Sequence, residues 1–146
     1  MRHLKEYKIF ESEGDLFPVT KEDIDEIETL FLDIADEFDL ESDEQLEYVW
    51  HPNNILRDVY SGSYKIYVNG GVLYVLFGIH SSKDIKKLLN MIKSFMDMIK
   101  TYYPETFVEL RVNTRRFFGV PFDIDQIYKE INSQGFKNNQ FRIEIL

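Results

Sequence analysis

The run from Ser63 to Ile79 constrains what this chain can fold into more than any other stretch. Two β-rich segments flank Asn69-Gly70-Gly71, and Asn and Gly accept the left-handed backbone of a tight turn at little cost, so the pattern predicts a β-hairpin. The first arm alternates, with Tyr64, Ile66 and Val68 on one side and Lys65 and Tyr67 on the other. The second arm, Val72-Leu73-Tyr74-Val75-Leu76-Phe77, is apolar on both sides and reads as a central strand with helices over one face.

Helical periodicity on either side supplies those helices. Thr20 and Asp23 form a capping-box start, and Ile24, Ile27, Leu30, Phe31, Ile34 and Phe38 recur at helical spacing, which predicts a helix over 21–38. An acidic turn at Glu41 to Glu44 follows, and Leu46, Tyr48 and Trp50 then alternate with Glu47 and Val49 as a half-buried strand that His51-Pro52-Asn53-Asn54 breaks. After the hairpin, Ser81 or Ser82 is expected to cap a helix running to about Tyr103, with Pro104 beyond its end. Thr106 to Asn113 reads as a strand, Asp123 to Ser133 as a helix stopped by Gly135, and Phe141 to Leu146 as a last strand.

The element order α-β-β-β-α-β-α-β favours an α+β fold: a largely antiparallel sheet of about five strands with helices packed mainly on one face. A chain of 146 residues, 44% apolar and 15% aromatic, can enclose one core. Residues 1–17 are read as an N-terminal arm or leader and 18–146 as a single domain. With no cysteine there is no thiol nucleophile and no thiolate metal site. The longest strongly apolar run, Val72 to Ile79, is too short to cross a bilayer, and no secretory signal opens the chain, so a cytoplasmic protein is expected.

Charge is distributed very unevenly. Between Glu11 and Glu47 there are sixteen acids and one base, Lys21, whereas the other 109 residues hold ten acids and sixteen bases. The predicted first helix presents Glu22, Asp25, Glu26, Asp33, Asp36 and Glu37 on its outer face. Carboxylates three and four residues apart repel by a few tenths of a kcal/mol per pair, so burial of the apolar stripe must outweigh that cost. An array of this kind either keeps the protein soluble or engages a basic macromolecule, in the limit by imitating a phosphate backbone.

No pattern of residues carries catalysis. His3, His51 and His80 have no second histidine three to five residues away, and no acidic stretch has the spacing of a calcium-binding loop, so neither a metal nor another cofactor is expected. His80 is the most notable of the three, between a core strand and the Ser81-Ser82 pair. Gly70-Gly71 leads into a strand, whereas a phosphate-cradling loop must open a helix. Glu109-x-Arg111 has the acid and base spacing of restriction-type nucleases without their Lys or the preceding acid, and a cross-strand surface pair explains it equally well.

A second face is basic. Lys83, Lys86, Lys87, Lys93 and Lys100 line the outer side of one predicted helix, and Arg111, Arg115 and Arg116 precede Phe117 and Phe118. Cations beside aromatics can neutralise phosphates and stack on unpaired bases, which makes Lys83, Lys86, Lys87, Arg111, Arg115, Arg116, Phe117 and Phe118 an alternative nucleic-acid face. The acidic helix opposes that use unless it lies elsewhere on the molecule.

Residues Met1 to Glu13 carry a basic residue at Arg2, the acid-aromatic pair Glu6-Tyr7 and a closing Glu11 or Glu13. In these features the segment resembles the short leaders of proteins packaged into the heads of large contractile-tailed phages, where a small residue precedes the cleaved Glu. Ser12 before Glu13 fits that pattern, and Phe10 before Glu11 departs from it. The resemblance implies a phage protein and, as one alternative, a virion component with a removable leader. The reading as a whole is a non-enzymatic binding protein whose acidic helix meets a basic protein partner.

Overall fold

The computed structural model describes residues 20–46, 62–113, 115–118 and 123–146, with Arg115–Phe118 described as backbone only. The expected strand at Leu46 to Trp50 and the leader at residues 1–13 lie outside the described residues, except for Leu46 itself, which is buried beyond a turn.

Helix α1 spans Lys21–Glu37 and begins as a capping box: Thr20 Oγ1 accepts from the Asp23 backbone N–H, and the Asp23 side chain accepts from that of Thr20. Strand β1, Glu41–Ser42, arises in the stretch expected to be a turn. The hairpin forms as β2, Ser63–Asn69, and β3, Val72–His80, with Gly70 and Gly71 both at positive φ in the turn.

Helix α2 spans Ile85–Tyr102, and its cap is Asp84 rather than Ser81 or Ser82. Asp84 accepts from the Lys87 backbone N–H at 3.1 Å, while Ser82 is held by the His80 ring, which accepts from its backbone N–H at 3.0 Å. Strand β4, Val108–Val112, ends where Asn113 turns to φ 56 and the chain returns as β5, Arg115–Phe118, a strand that the sequence pattern did not suggest. Helix α3, Ile124–Gln134, is capped by Asp123 and stopped by Gly135 at φ 68. Strand β6, Asn138–Ile145, starts three residues earlier than expected, because Asn138, Asn139 and Gln140 pair with His80, Ile79 and Gly78.

The fold class is α+β, with a mixed sheet of six strands in the order β1-β2-β3-β6-β4-β5. This corrects the expectation of a largely antiparallel sheet of about five strands: β1 lies parallel to β2 at one edge, and the other four pairings are antiparallel. The element order becomes α-β-β-β-α-β-β-α-β among the described residues.

Period-two alternation gives the sheet two unlike faces. Cross-strand rows Tyr64–Phe77–Phe141–Val112 and Ile66–Val75–Ile143–Leu110 point to one side. There they meet Ile27, Phe31 and Ile34 of α1, Leu88, Ile92 and Phe95 of α2, and Ile127 and Ile131 of α3. The three described helices therefore share one face. Phe31 sits at the centre of this layer, its ring 5.2 Å from Tyr64, 5.1 Å from Phe77 and 5.7 Å from Phe95. Tilted and edge-on ring pairs of this kind add about 0.5–1.5 kcal/mol each beyond area burial.

Candidate partner-binding face

Helices α1 and α2 run antiparallel over the sheet and are fastened to each other near both ends. At one end the Tyr103 hydroxyl donates to Glu26 Oε1 at 2.6 Å and lies 3.2 Å from Asp23 Oδ1. At the other, Lys87 Nζ pairs with Glu37 Oε2 at 2.6 Å. A third link ties α1 to the sheet, where the Tyr64 hydroxyl donates to Glu28 Oε2 at 2.9 Å.

Burial, reinforced by the adjoining carboxylates, drives both phenols upward. Tyr103 is pushed far above the ordinary tyrosine value, first by burial and then by its bond to Glu26 and the charge of Asp23. Tyr64 is pushed up to about 12, again chiefly by burial and then by Glu28.

These contacts divide the acidic residues of α1 into two groups. Asp23, Glu26, Glu28 and Glu37 are engaged by Tyr103, Tyr64 and Lys87. Glu22, Asp25, Asp33 and Asp36 are exposed along the crest of the helix, and Asp25, Asp33 and Asp36 make no ion pair among the described residues. Of the six carboxylates expected to form a partner face, Glu26 and Glu37 thus serve the fold, and Glu26 is half-buried. The sequence could not separate the groups, because the engaging Tyr64, Lys87 and Tyr103 lie 36, 50 and 77 residues from Glu28, Glu37 and Glu26.

Beside that crest, α1 and α2 enclose an open groove of about 710 Å³. Leu30, Ile34, Met91, Phe95 and Met98 supply its apolar lining, and Asp33, Asp84, Lys86 and Lys87 its charge. Met98 is 42% exposed, a large apolar side chain left in water at the rim.

The alternative nucleic-acid residues do not form one face. Lys83 is exposed before α2, Lys86 lies 3.3 Å from Asp125 with its ammonium over the Tyr128 ring, and Lys87 is paired with Glu37. Arg111 neighbours Leu110, whose side chain faces the helices, and so it projects from the opposite side of the sheet. Arg115, Arg116, Phe117 and Phe118 form β5, with Arg116 in register with Arg111. The lysines and Arg111 are separated by the sheet.

His80 is exposed, its Nδ1 held 2.8 Å from Ser82 Oγ in a local turn. A second cavity, of about 190 Å³, lies nearby between Ser81, Ile85, Ile131, Asn132, Phe136 and Asn139, and His80 does not line it. Among the described residues, no group of three or more His, Cys, Asp or Glu is arranged to hold a metal ion. No helix there is long and apolar enough to cross a membrane.

One cluster was missed. On the sheet face away from the helices, the rows Tyr67–Tyr74–Glu144–Glu109 and Lys65–Leu76–Arg142–Arg111 lie side by side. Tyr67 stacks on Tyr74 at 5.0 Å, Arg142 lies over the Tyr74 ring at 5.2 Å, and Arg142 Nη2 bridges to Glu144 Oε2 at 2.7 Å. Glu109 is not the surface residue expected, being 7% exposed, and its cross-strand neighbour is another acid, Glu144. Like charges opposite one another are unfavourable, and here Arg142 of the adjoining row neutralises Glu144. The signal was present as alternation in Tyr74, Arg142 and Glu144, but only the register brings the rows together.

Comparison with known protein families, curated proteins and solved structures finds no match for this chain.

Proposed function

We propose that this protein is a non-catalytic binding protein of phage origin that engages a basic protein partner through the acidic crest of α1. The observation that carries the reading is the division of that helix's carboxylates. Those at its flanks hold the fold, whereas Asp25, Asp33 and Asp36 stand exposed without an ion pair among the described residues. Mutual repulsion makes such an arrangement mildly unfavourable in the free protein, and a cationic surface relieves it.

Charge density bears on the nature of the partner. Glu22 to Asp36 spans about 21 Å of helix axis at 1.5 Å per residue. The four exposed carboxylates therefore stand several ångströms apart, against about one charge per 1.7 Å in duplex DNA. That sparseness favours a basic protein surface in general over close imitation of a duplex. The likeness of residues 1–13 to phage leaders supports the phage origin.

The test is affinity capture from host lysate with the natural chain and with Asp25→Asn/Asp33→Asn/Asp36→Asn, which leaves Glu26 on Tyr103 and Glu37 on Lys87. A basic protein held at physiological salt by the natural chain and released by the variant is the expected result. Identical capture by both chains would show that the crest serves solubility alone.

A further inference from the structure

The groove between α1 and α2 adds a second, apolar requirement to that partner. We infer that the groove seats a basic amphipathic helix of the partner protein, its apolar stripe against Leu30, Met91 and Met98 and its cations against Asp33 and Asp36; the inference rests on the reading of the acidic crest just given.

Three observations define the occupant. The first is shape. Met91 and Met98 are spaced i, i+7 on α2 and Leu30 and Ile34 are spaced i, i+4 on α1, in a channel that follows α2 from Lys86 to Met98 and is flanked by one turn of α1. At 1.5 Å per residue this is about 18 Å, or three turns of a docked helix. Methionine is unbranched and polarizable and re-packs around varied side chains, which suits a seat for leucine-type knobs.

The second is the backbone. Both walls are helices whose N–H and C=O groups are satisfied internally, so an extended peptide would find no main-chain partners there. A helix satisfies its own backbone and needs only side-chain contact.

The third is charge. Two cations line the groove, and both are already engaged: Lys87 by Glu37 and Lys86 by Asp125. Asp84 caps α2. Asp33 is the lining charge that neither pairs with a cation nor caps a helix among the described residues, and Asp36 stands one turn along the crest, within reach of a long Lys or Arg side chain. An anionic occupant would meet uncompensated carboxylates, whereas a cationic one neutralises them.

The probe is a fluorescently labelled 18-residue peptide of Leu, Ala and Lys with Leu at i, i+3, i+4 and i+7, compared by anisotropy with a shuffled peptide of the same composition. The natural chain is expected to bind the amphipathic peptide about tenfold or more tightly than the shuffled one, a difference of about 1.4 kcal/mol. Met91→Gln/Met98→Gln should erase that preference, and Met98→Gln alone, at an exposed position, should reduce it if the double variant folds poorly. Asp33→Asn/Asp36→Asn should weaken both peptides and flatten the salt dependence.

Equal binding of both peptides, insensitive to the Met substitutions, would overturn the groove while leaving the acidic crest intact. A preference for the amphipathic peptide that ignores the Asp substitutions would instead overturn the acidic reading and the basic character of the occupant. Failure to bind either peptide overturns the inference. So does a concentration-dependent dimer that Met98→Gln dissolves in light scattering, since the groove would then hold a second copy.

Discussion

The two faces of the sheet are made by the same strands and solve burial in opposite ways. Toward the helices, Tyr64, Phe77, Phe141 and Val112 form one row and Ile66, Val75, Ile143 and Leu110 the next, closed by Phe31 and its neighbours. On the other side, Glu109 and Glu144 are buried almost as well, yet they depend on partners: Arg142 on Glu144, and rings stacked beside them. An apolar face is stabilised by area and shape and tolerates approximate matches. A charged face is stable only while each group keeps its partner, because an uncompensated buried charge costs several kcal/mol.

The largest effect should come from the helix-covered side. Phe31→Ala removes a fully buried ring in contact with three others, and urea unfolding should show a loss of about 3–5 kcal/mol. On the opposite face, Arg142→Ala leaves Glu144 in a mostly buried site and should lose about 2–3 kcal/mol. The paired change Arg142→Met/Glu144→Leu should cost clearly less than the single one. Were the pair to cost the sum of its parts, the contrast between the faces would fail.

Tyr64 lies on the apolar face yet carries a polar tie, and pH separates its two roles. Its phenol is raised in the fold to about 12 from an ordinary value near 10. Its contribution is therefore complete below pH 10 and is lost as pH rises through 12. Tyr64→Phe should lose about 1 kcal/mol at neutral pH with the Glu28 bond, and should flatten the alkaline fall in stability above pH 10. The smallest effect is expected from Asp33→Asn/Asp36→Asn, within about 0.5 kcal/mol of the natural chain by thermal unfolding, since neither side chain holds an element in place.

What the sequence disclosed follows the range of the interactions. The capping box at Thr20, the Asn69-Gly70-Gly71 hairpin and the Gly135 stop are local, and each forms where its residues say. The Asp84 cap was obscured by two serines that chemistry allows equally well, and β5 by Arg115-Arg116-Phe117-Phe118, which shows no alternation. Of the candidate face, the acidity of α1 was legible. Which carboxylates remain available was not, because Tyr64, Lys87 and Tyr103 reach them only through the tertiary fold.

The place of β6 between β3 and β4 has a kinetic consequence. The hairpin can form early, but β3 and β4 each keep an open edge until residues 138–145 arrive, and α2, β4, β5 and α3 all intervene between β3 and its partner. Contacts so distant in sequence slow folding, and two waiting apolar strands invite pairing with other chains. During synthesis the sheet stays vulnerable until β6 has emerged, so deletions or stalls upstream of Asn138 should yield aggregates rather than soluble partial folds.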